Sequence, residues 1–298
     1  MALTLAQARE HAPTRRDAAI ITELAAGPLT EVLPFDNILG RTSTWLREES
    51  IANAAAGFRN VNGAYGEGQA ETSIQFESLR DLGKDLRVDN TIELLEGPEA
   101  KNYQLRAQVR ATRLYFEKLF ILGDATTDPA QFDGLLARTP ATSSQYVDNG
   151  GGALDLDKLD EALDETDAKG GRRYLIMSRS ARRALTRQTR ANTQIEITRS
   201  EFGYRQTIYA DIPILELDVD HTNTRILDGT PSSQDIYVVS FGSDHLTGIQ
   251  NSAPRVRELG ESTSKPELVT RMQWLVSLRV KNKRSVTRLA NVDATVNP

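Results

Sequence analysis

The chain has 298 residues and no cysteine, which excludes disulfides and thiolate metal sites. Its hydrophobic fraction of 39%, charged fraction of 26% and formal net charge of −5 are ordinary for a folded soluble protein, and they restrict any nucleic-acid contact to a local basic patch. No apolar run reaches the ~18–20 residues needed to span a bilayer, so we expect no membrane partner.

Residues 1–41 are predicted to form an N-terminal arm. Ile20, Ile21 and Leu24 recur at helical spacing and predict a short helix that ends at Gly27, with extended chain after it. The arm holds too few large apolar side chains for a core of its own. We therefore expect it to become ordered only when it lies on another surface, such as a neighbouring subunit.

Residues 42–90 are predicted to form a long hairpin. Asn62 and Gly63 are a strong turn signal between two extended segments. The return strand alternates, with Thr72, Ile74 and Phe76 on one face and Ser73, Gln75 and Glu77 on the other. Because an isolated hairpin is marginal in water, we expect it to need a neighbouring surface, either in the same chain or in another subunit.

A long helix is predicted over residues 98–122, and the rest of the chain is organised around it. Proline suits its first position, and no glycine or proline follows until Gly123. At 1.5 Å per residue its length is roughly 37 Å. Two apolar stripes follow helical spacing, Tyr103, Ala107, Ala111 and Leu114 in one and Leu105, Val109, Phe116 and Phe120 in the other. The more polar side carries Arg106, Arg110 and Arg113.

The remainder of the chain has α/β patterning. The glycines at 150–152 are predicted to form a flexible joint between subdomains. An acidic helix is predicted over 155–166, and an arginine-rich helix capped by Ser178 follows a buried strand and extends to about residue 190. Further strands are predicted at 195–198, 212–217 and 236–241. The clearest strand, 270–280, alternates between apolar and polar residues, and we expect its apolar face to pack on the long helix.

Three short motifs contain residue types used in catalysis or ligand binding, and each lacks the required context. Ser243, Asp244 and His245 are triad residue types, but chain neighbours cannot form the relay geometry. Carboxylates and a histidine at 218–221 are more often a solvated loop than a metal site. The glycines at 150–152 lack the lysine and the preceding strand of a phosphate-binding loop. We therefore predict no enzymatic activity and no cofactor or metal.

The order of these parts, and four sequence segments, carry a family resemblance. The segments are QFDGLL at 131–136, LDKLD at 156–160, ADIPI at 210–214, and HLTGI at 245–249 together with the strand that contains Trp274. The chain resembles the major capsid proteins of tailed double-stranded DNA bacteriophages, whose fold is shared with encapsulins and the herpesvirus capsid floor. Each segment alone is weak, and their order and spacing along nearly the whole chain carry the resemblance.

The resemblance implies an α+β fold, the tailed-phage major capsid fold, with five parts. These are an N-terminal arm (1–41), an extended β-hairpin loop (42–90), a peripheral domain with the spine helix (91–136), an inserted axial, or central, α/β domain (137–253), and return strands of the peripheral β-sheet (254–298).

The implied function is structural. The chain would self-assemble into pentamers and hexamers of an icosahedral shell enclosing double-stranded DNA. Its partners would be a scaffolding protein, a portal and optionally a decoration protein, and its location the virion, after the host cytoplasm. Two alternatives stay open: the shell of an encapsulin nanocompartment, and a soluble DNA-binding or enzymatic α+β protein.

Two groups of residues are candidates for contacts in such a shell. The predicted DNA-facing residues are Arg15, Arg16, Arg106, Arg110 and Arg113, whose contacts with packaged DNA would be sequence-independent. The predicted intersubunit residues are Trp45, Phe58, Tyr65, Arg182, Arg183, Asp160 and Asp164. For the last four, we expect the arginine-rich helix to pair with the acidic helix of a neighbouring subunit.

The sequence departs from the resembled family in two respects. Some members cross-link subunits through a lysine near the hairpin tip, whereas residues 51–69 contain no lysine and Lys84 lies well down the return strand. We therefore expect a shell without covalent cross-links. Some members also carry a helical scaffolding extension before the arm. This sequence starts almost at the arm, so we expect a separate scaffold or an extension removed earlier.

Overall fold

The long helix crosses a mixed β-sheet in the computed structural model, which describes residues 3–5, 15–50, 55, 57–167, 169–189, 195–199, 205–217, 219–227 and 233–295. The helices are α1 (Arg15–Ala25), α2 (Pro28–Val32), α3 (Asn90–Glu96), α4 (Pro98–Leu122), α5 (Leu135–Arg138), α6 (Leu156–Glu165) and α7 (Arg179–Thr189). The predicted spine helix is α4, with the same bounds. No helix of the described ranges is long and apolar enough to cross a bilayer.

The strands belong to two sheets. They are β1 (Leu3–Thr4), β2 (Pro34–Asn37), β3 (Thr42–Ser50), β4 (Glu71–Ser78), β5 (Arg80–Asp89), β6 (Tyr146–Asp148), β7 (Arg172–Met177), β8 (Ile195–Arg199), β9 (Arg205–Tyr209), β10 (Ile212–Glu216), β11 (Gln234–Phe241), β12 (Leu246–Gln250), β13 (Arg255–Glu261), β14 (Glu267–Val280) and β15 (Val286–Val292). A 13-stranded sheet has the main order β1-β2-β12-β11-β7-β10-β9-β8. Strand β14 pairs with β12 and carries β5 and β13, and β15 pairs with β11 and carries β6. Strands β3 and β4 form a separate two-stranded sheet.

The main core lies between the spine helix and strand β14, as the sequence predicts. The Trp274 ring lies 4.9 Å from the Phe116 ring and 5.5 Å from the Phe35 ring, measured between centroids. Phe132 also packs against Phe116, with 5.9 Å between centroids. A second cluster, which includes Leu159, Leu175 and Leu185, packs α6 and α7 onto the axial strands. These aromatic and aliphatic contacts fix the spine on the sheet.

The described part of the arm lies on another surface, as predicted, but that surface belongs to its own chain, so the expectation of a neighbouring subunit is wrong there. Ile21, Leu24 and Phe35 are buried in the main core of the same chain. Strand β2 extends the central sheet by pairing in parallel with β12, where Phe35 lies opposite Gly248. A Cβ at Gly248 would overlap the Phe35 ring, so glycine permits this close approach. The arm lacks a core of its own because it shares the core of the spine.

Three smaller features differ from the sequence predictions. Helix α2 occupies part of the segment that was expected to be extended. Tyr103, assigned to an apolar stripe of the spine, is 69% exposed. The glycines at 150–152 form a turn held to the sheet, since Gly151 N–H donates to the Asn291 carbonyl and Asp293 N–H to that of Gly152. The positive φ angles of Gly150 and Gly151 explain the glycines there. The proposed domain boundaries remain predictions.

Candidate assembly surfaces

The hairpin of β3 and β4 has its apolar face turned away from the rest of the chain. Leu46 lies opposite Ile74 in the antiparallel register, and Thr44 lies opposite Phe76. Since these residues share one face of the pleat, Leu46, Ile74 and Phe76 form a continuous apolar strip. Their exposed fractions are 64%, 76% and 70%. We call these three residues the outer strip.

The opposite face of the hairpin is mostly polar, apart from Trp45, and contacts the rest of its own chain. The Glu77 carboxylate accepts hydrogen bonds from Arg138 Nη2 at 3.0 Å and from Ser277 Oγ at 3.0 Å. Ser43 is buried beside Arg279, whose guanidinium is also paired with Asp36. In a two-layer fold the apolar face of a sheet normally packs on the core of its own chain and the polar face lies in water, which is the opposite of what this hairpin shows. The outer strip therefore requires a partner outside this chain to be buried.

The tip of the hairpin adds exposed apolar groups beyond the strands. Phe58 and Tyr65 are both exposed, and the Arg59 guanidinium lies 4.9 Å from the centre of the Tyr65 ring. Asn62 has φ 67°, and Gly63 N–H donates to the Asn60 carbonyl at 2.9 Å, which gives the predicted turn. An exposed phenyl and phenol on a long projection are suited to a pocket on another molecule.

Trp45 lies on the inner face of the hairpin and is half-buried. Its indole N–H has no hydrogen-bond partner among the described residues. Its predicted role between subunits remains a prediction, as do those of Phe58 and Tyr65.

A second exposed apolar group lies beside the start of the spine helix, and the sequence pattern did not predict it. Leu94 and Leu95 of α3 are highly exposed, and so is Tyr103 in the second turn of the spine. The signal available in the sequence is the pair of adjacent leucines in a helix of seven residues, which cannot turn both toward one core. Exposed side chains of this size are typical of surfaces that become covered on assembly.

The three spine arginines have different environments. Arg106 is exposed. Arg110 Nε lies 3.6 Å from a Glu23 carboxylate oxygen, and Arg113 Nη1 donates to the Glu23 backbone carbonyl at 3.2 Å. Arg110 and Arg113 therefore join the spine to arm helix α1, a role that the sequence pattern does not indicate. The contact of these arginines with DNA, and that of Arg15 and Arg16 in α1, remains a prediction.

Glu117 of the spine is buried where the arm crosses it. A Cβ at Gly27 would overlap Glu117 Oε1, so the arm approaches the spine as closely as glycine allows. Oε1 has no hydrogen-bond partner among the described residues. Burial raises the pKa of Glu117 to about 7, and the nearby Arg113 only partly offsets that effect. Ionised Glu117 thus weakens the contact between arm and spine.

We predict that Glu117→Gln stabilises the chain above pH 7 but not near pH 4. The carboxyl has a pKa of about 7 in the folded chain against 4.5 ordinarily. Between these values the folded state binds more protons than the unfolded state, so stability falls as pH rises. The loss reaches about 3 kcal/mol above pH 7, and the neutral amide avoids it.

Denaturant unfolding of both forms from pH 4 to pH 8.5 measures this difference. The matched control is Glu99→Gln, because Glu99 is an exposed glutamate of the same helix. The control should shift stability by less than about 1 kcal/mol at any of these pH values. The prediction would be contradicted if the difference in unfolding free energy between wild type and Glu117→Gln does not increase as the pH rises.

The charged residues of the axial domain lie on separate helices. Tyr209 OH donates to Asp160 at 3.1 Å, and burial together with that carboxylate raises the pKa of Tyr209 to about 12. Asp164 and Arg183 are exposed. Arg182 Nε lies 2.8 Å from a Glu216 carboxylate oxygen. Arg182 thus has an acidic partner within the chain, and the pairing of the two helices between subunits remains a prediction.

Solved structures reproduce this arrangement of arm, hairpin, spine and axial domain. The holo-SrpI encapsulin complex of Synechococcus elongatus aligns over 91% of this chain and 89% of its own, with TM-score 0.70 and 17% identity. The capsid of an empty GTA particle aligns over 89% and 90%, with TM-score 0.61 and 14% identity. A structure from Mycobacterium phage Cain aligns over 88% and 89%, with TM-score 0.64 and 10% identity. The chain has the phage capsid fold. No protein-family model and no curated protein matches it.

Within the capsid fold, the motifs that could have suggested an enzyme have structural roles. The buried His245 has Nδ1 3.0 Å from Ser285 Oγ and Nε2 2.8 Å from the Lys169 carbonyl oxygen. It therefore links three loops of the chain and does not form a triad with Ser243 and Asp244. Asp220 is paired with Lys118 at 2.7 Å, and this contact holds the pKa of Asp220 well below its usual range. Asp218 lies outside the described residues. The described ranges contain no group of three or more potential metal ligands.

Proposed function

We propose that this chain is a structural shell protein: the major capsid subunit of a tailed virus, which assembles as pentamers and hexamers around double-stranded DNA. The observation that carries the proposal is the outward apolar face of the hairpin. In a closed shell that face lies on a neighbouring subunit, so the shell gains apolar burial that the single chain leaves unused. The fold shared with phage and GTA capsids supports this reading.

In the proposed shell, the hairpin tip with Phe58 and Tyr65 reaches across a subunit boundary, and Trp45 lies close to that boundary. The exposed Arg106 faces the packaged DNA, together with Arg15 and Arg16. Arg110 and Arg113 add positive charge near the same surface while they hold the arm. Such contacts are non-specific and weaken with salt. A scaffolding protein, a portal and optionally a decoration protein complete the particle, which forms in the host cytoplasm.

The second candidate is the shell of an encapsulin nanocompartment. It is favoured by one observation, the TM-score of 0.70 over 91% of the chain with an encapsulin complex. Both candidates share the same assembly principle and differ in what the shell encloses.

Cryo-electron microscopy of the purified protein tests the proposal. We expect closed shells or ring-shaped capsomers, and only monomers in every buffer would contradict both candidates. The contents then separate the two. Double-stranded DNA that resists nuclease inside particles supports the viral capsid, whereas a bound cargo protein without nucleic acid supports the nanocompartment.

We also predict that mature particles contain no covalent cross-links between subunits. A lysine must be desolvated beside a carboxylate to lose its proton and attack an amide. The tip has no lysine, and Lys84 lies exposed in a charged run of β5. Boiled in denaturing detergent, particles should give one band near 33.0 kDa. A ladder of oligomers that survives boiling would show that another lysine, such as Lys265 or Lys281, forms the link.

A further inference from the structure

A cleft of about 580 Å³ in the axial domain is lined by four arginines. It lies between helix α7 and the chain that follows strand β15. The arginines are Arg182, Arg183, Arg187 and Arg225, and the described residues that line the cleft include no carboxylate. The remaining lining is small and mostly polar, with Ser180, Thr186 and Thr295 among it. The cleft therefore presents a concentrated positive charge in a protein whose net charge is −5.

Two of the arginines are held in place by contacts within the chain. Arg187 Nη2 donates to the Ala294 carbonyl at 2.9 Å, and Arg182 Nε lies 2.8 Å from Glu216. A guanidinium carries five N–H donors, and neither of these contacts occupies them all. Positioning one edge of each group limits the entropy lost when the cleft takes up an anion.

The cleft also contains a buried donor that lacks a partner. Gln234 lines it, is only 1% exposed, and has no partner for its Nε2 among the described residues. The orientation of this amide follows from its neighbour. Ser178 Oγ accepts from the Ala181 N–H at 3.1 Å, so its proton is available for Gln234 Oε1 at 2.6 Å. The NH₂ end of Gln234 is thereby left for the cleft, and a buried donor without a partner is costly unless a ligand satisfies it.

We propose that this cleft binds a small ligand that carries several phosphate groups, such as inorganic tripolyphosphate or a nucleoside triphosphate. Guanidinium groups match phosphate oxygens in charge and geometry, and the neutral Gln234 amide adds a donor without repelling the ligand. The volume is that of a small-molecule site and exceeds what a single phosphate needs. Because Gln234 is only 1% exposed, the backbone of a rigid DNA duplex does not reach it. A slender phosphate chain reaches it only by entering the cleft, so binding through Gln234 distinguishes the two ligands.

Isothermal titration of the purified full chain with sodium tripolyphosphate, at constant ionic strength, tests the proposal. Gln234→Glu keeps the acceptor for Ser178 and places a carboxylate oxygen where the donor was. Arg183→Gln removes one charge from an exposed position and leaves the fold intact. Each variant should weaken binding by roughly tenfold or more, since each removes a charge-assisted or buried hydrogen bond. The matched control is Arg172→Gln, an exposed arginine outside the cleft, which should stay within about threefold.

Three results with the free subunit would overturn the proposal. They are no binding of tripolyphosphate by the wild type, equal binding by wild type and both cleft variants, and binding of a 12-bp DNA duplex through these residues without binding of tripolyphosphate. Binding by free subunits but not by assembled particles would also overturn it, and would assign the cleft to an acidic surface of a neighbouring subunit, such as that of Asp160 and Asp164.

Discussion

Phe116→Asp is expected to abolish the yield of soluble chain. Phe116 is fully buried and its ring packs against Phe35, Phe132 and Trp274, so it joins the arm, the spine and the longest strand. Removing a buried phenyl ring costs about 3–5 kcal/mol, and an unpaired buried carboxylate adds several more. The sum is comparable to the whole stability of a typical domain, about 5–15 kcal/mol.

Soluble yield and the circular dichroism spectrum measure this effect. Tyr103→Asp is the matched control, because Tyr103 lies on the same helix but is 69% exposed, and it should give normal yield of the folded subunit. Leu114→Asp should give a soluble yield between those of the other two variants, since Leu114 is half-buried. Normal yield and a native spectrum from Phe116→Asp would show that the spine does not form this core.

The elements that the sequence predicts well are those whose periodicity is long and uninterrupted. The spine from residue 98 to 122 has helical spacing over seven turns and proline and glycine at its ends, and strand β14 alternates over most of its length. Helix α7 is marked by Ser178, whose hydroxyl accepts from the Ala181 N–H as a cap. These signals are local, so the sequence carries them without knowledge of the fold.

The features that the sequence does not predict depend on contacts between distant residues. The arm is buried because Phe35 meets Trp274, 239 positions later in the chain. Glu117 lies on a helix where a glutamate is ordinary, and only the approach of Gly27 buries it. Gln234, whose amide oxygen accepts a hydrogen bond from Ser178, lies 56 positions from that serine in the chain. Periodicity also divides the hairpin into two faces without showing which one is turned inward, and here the polar face is.

The hairpin has its apolar face turned outward, and this leads to a second prediction. Ile74→Asp combined with Phe76→Asp should prevent the assembly of closed shells while the subunit stays folded. Both side chains are mostly exposed in the single chain, so their loss removes little from its own core. In a shell each would be buried against a neighbour, where fully burying one such side chain contributes about 1.5–3 kcal/mol. Two carboxylates in that interface would add a desolvation cost. Because every subunit boundary repeats the defect, assembly should fail even though each single contact is modest.

Size-exclusion chromatography and electron microscopy of the double variant measure assembly, and thermal unfolding of the dissociated subunit measures its fold. The matched control is Ile74→Val with Phe76→Leu, which keeps the outer strip apolar and should form shells. If the double variant unfolds, the outer strip contributes to the core of its own subunit. The structure predicts otherwise, because the hairpin contacts its own chain through its polar face, where Glu77 accepts from Arg138 and Ser277. Normal shells from the double variant would mean that the outer strip stays in water after assembly. The expected combination, an unchanged melting temperature with no shells, is obtained only if the apolar face of this hairpin is reserved for a second copy of the chain.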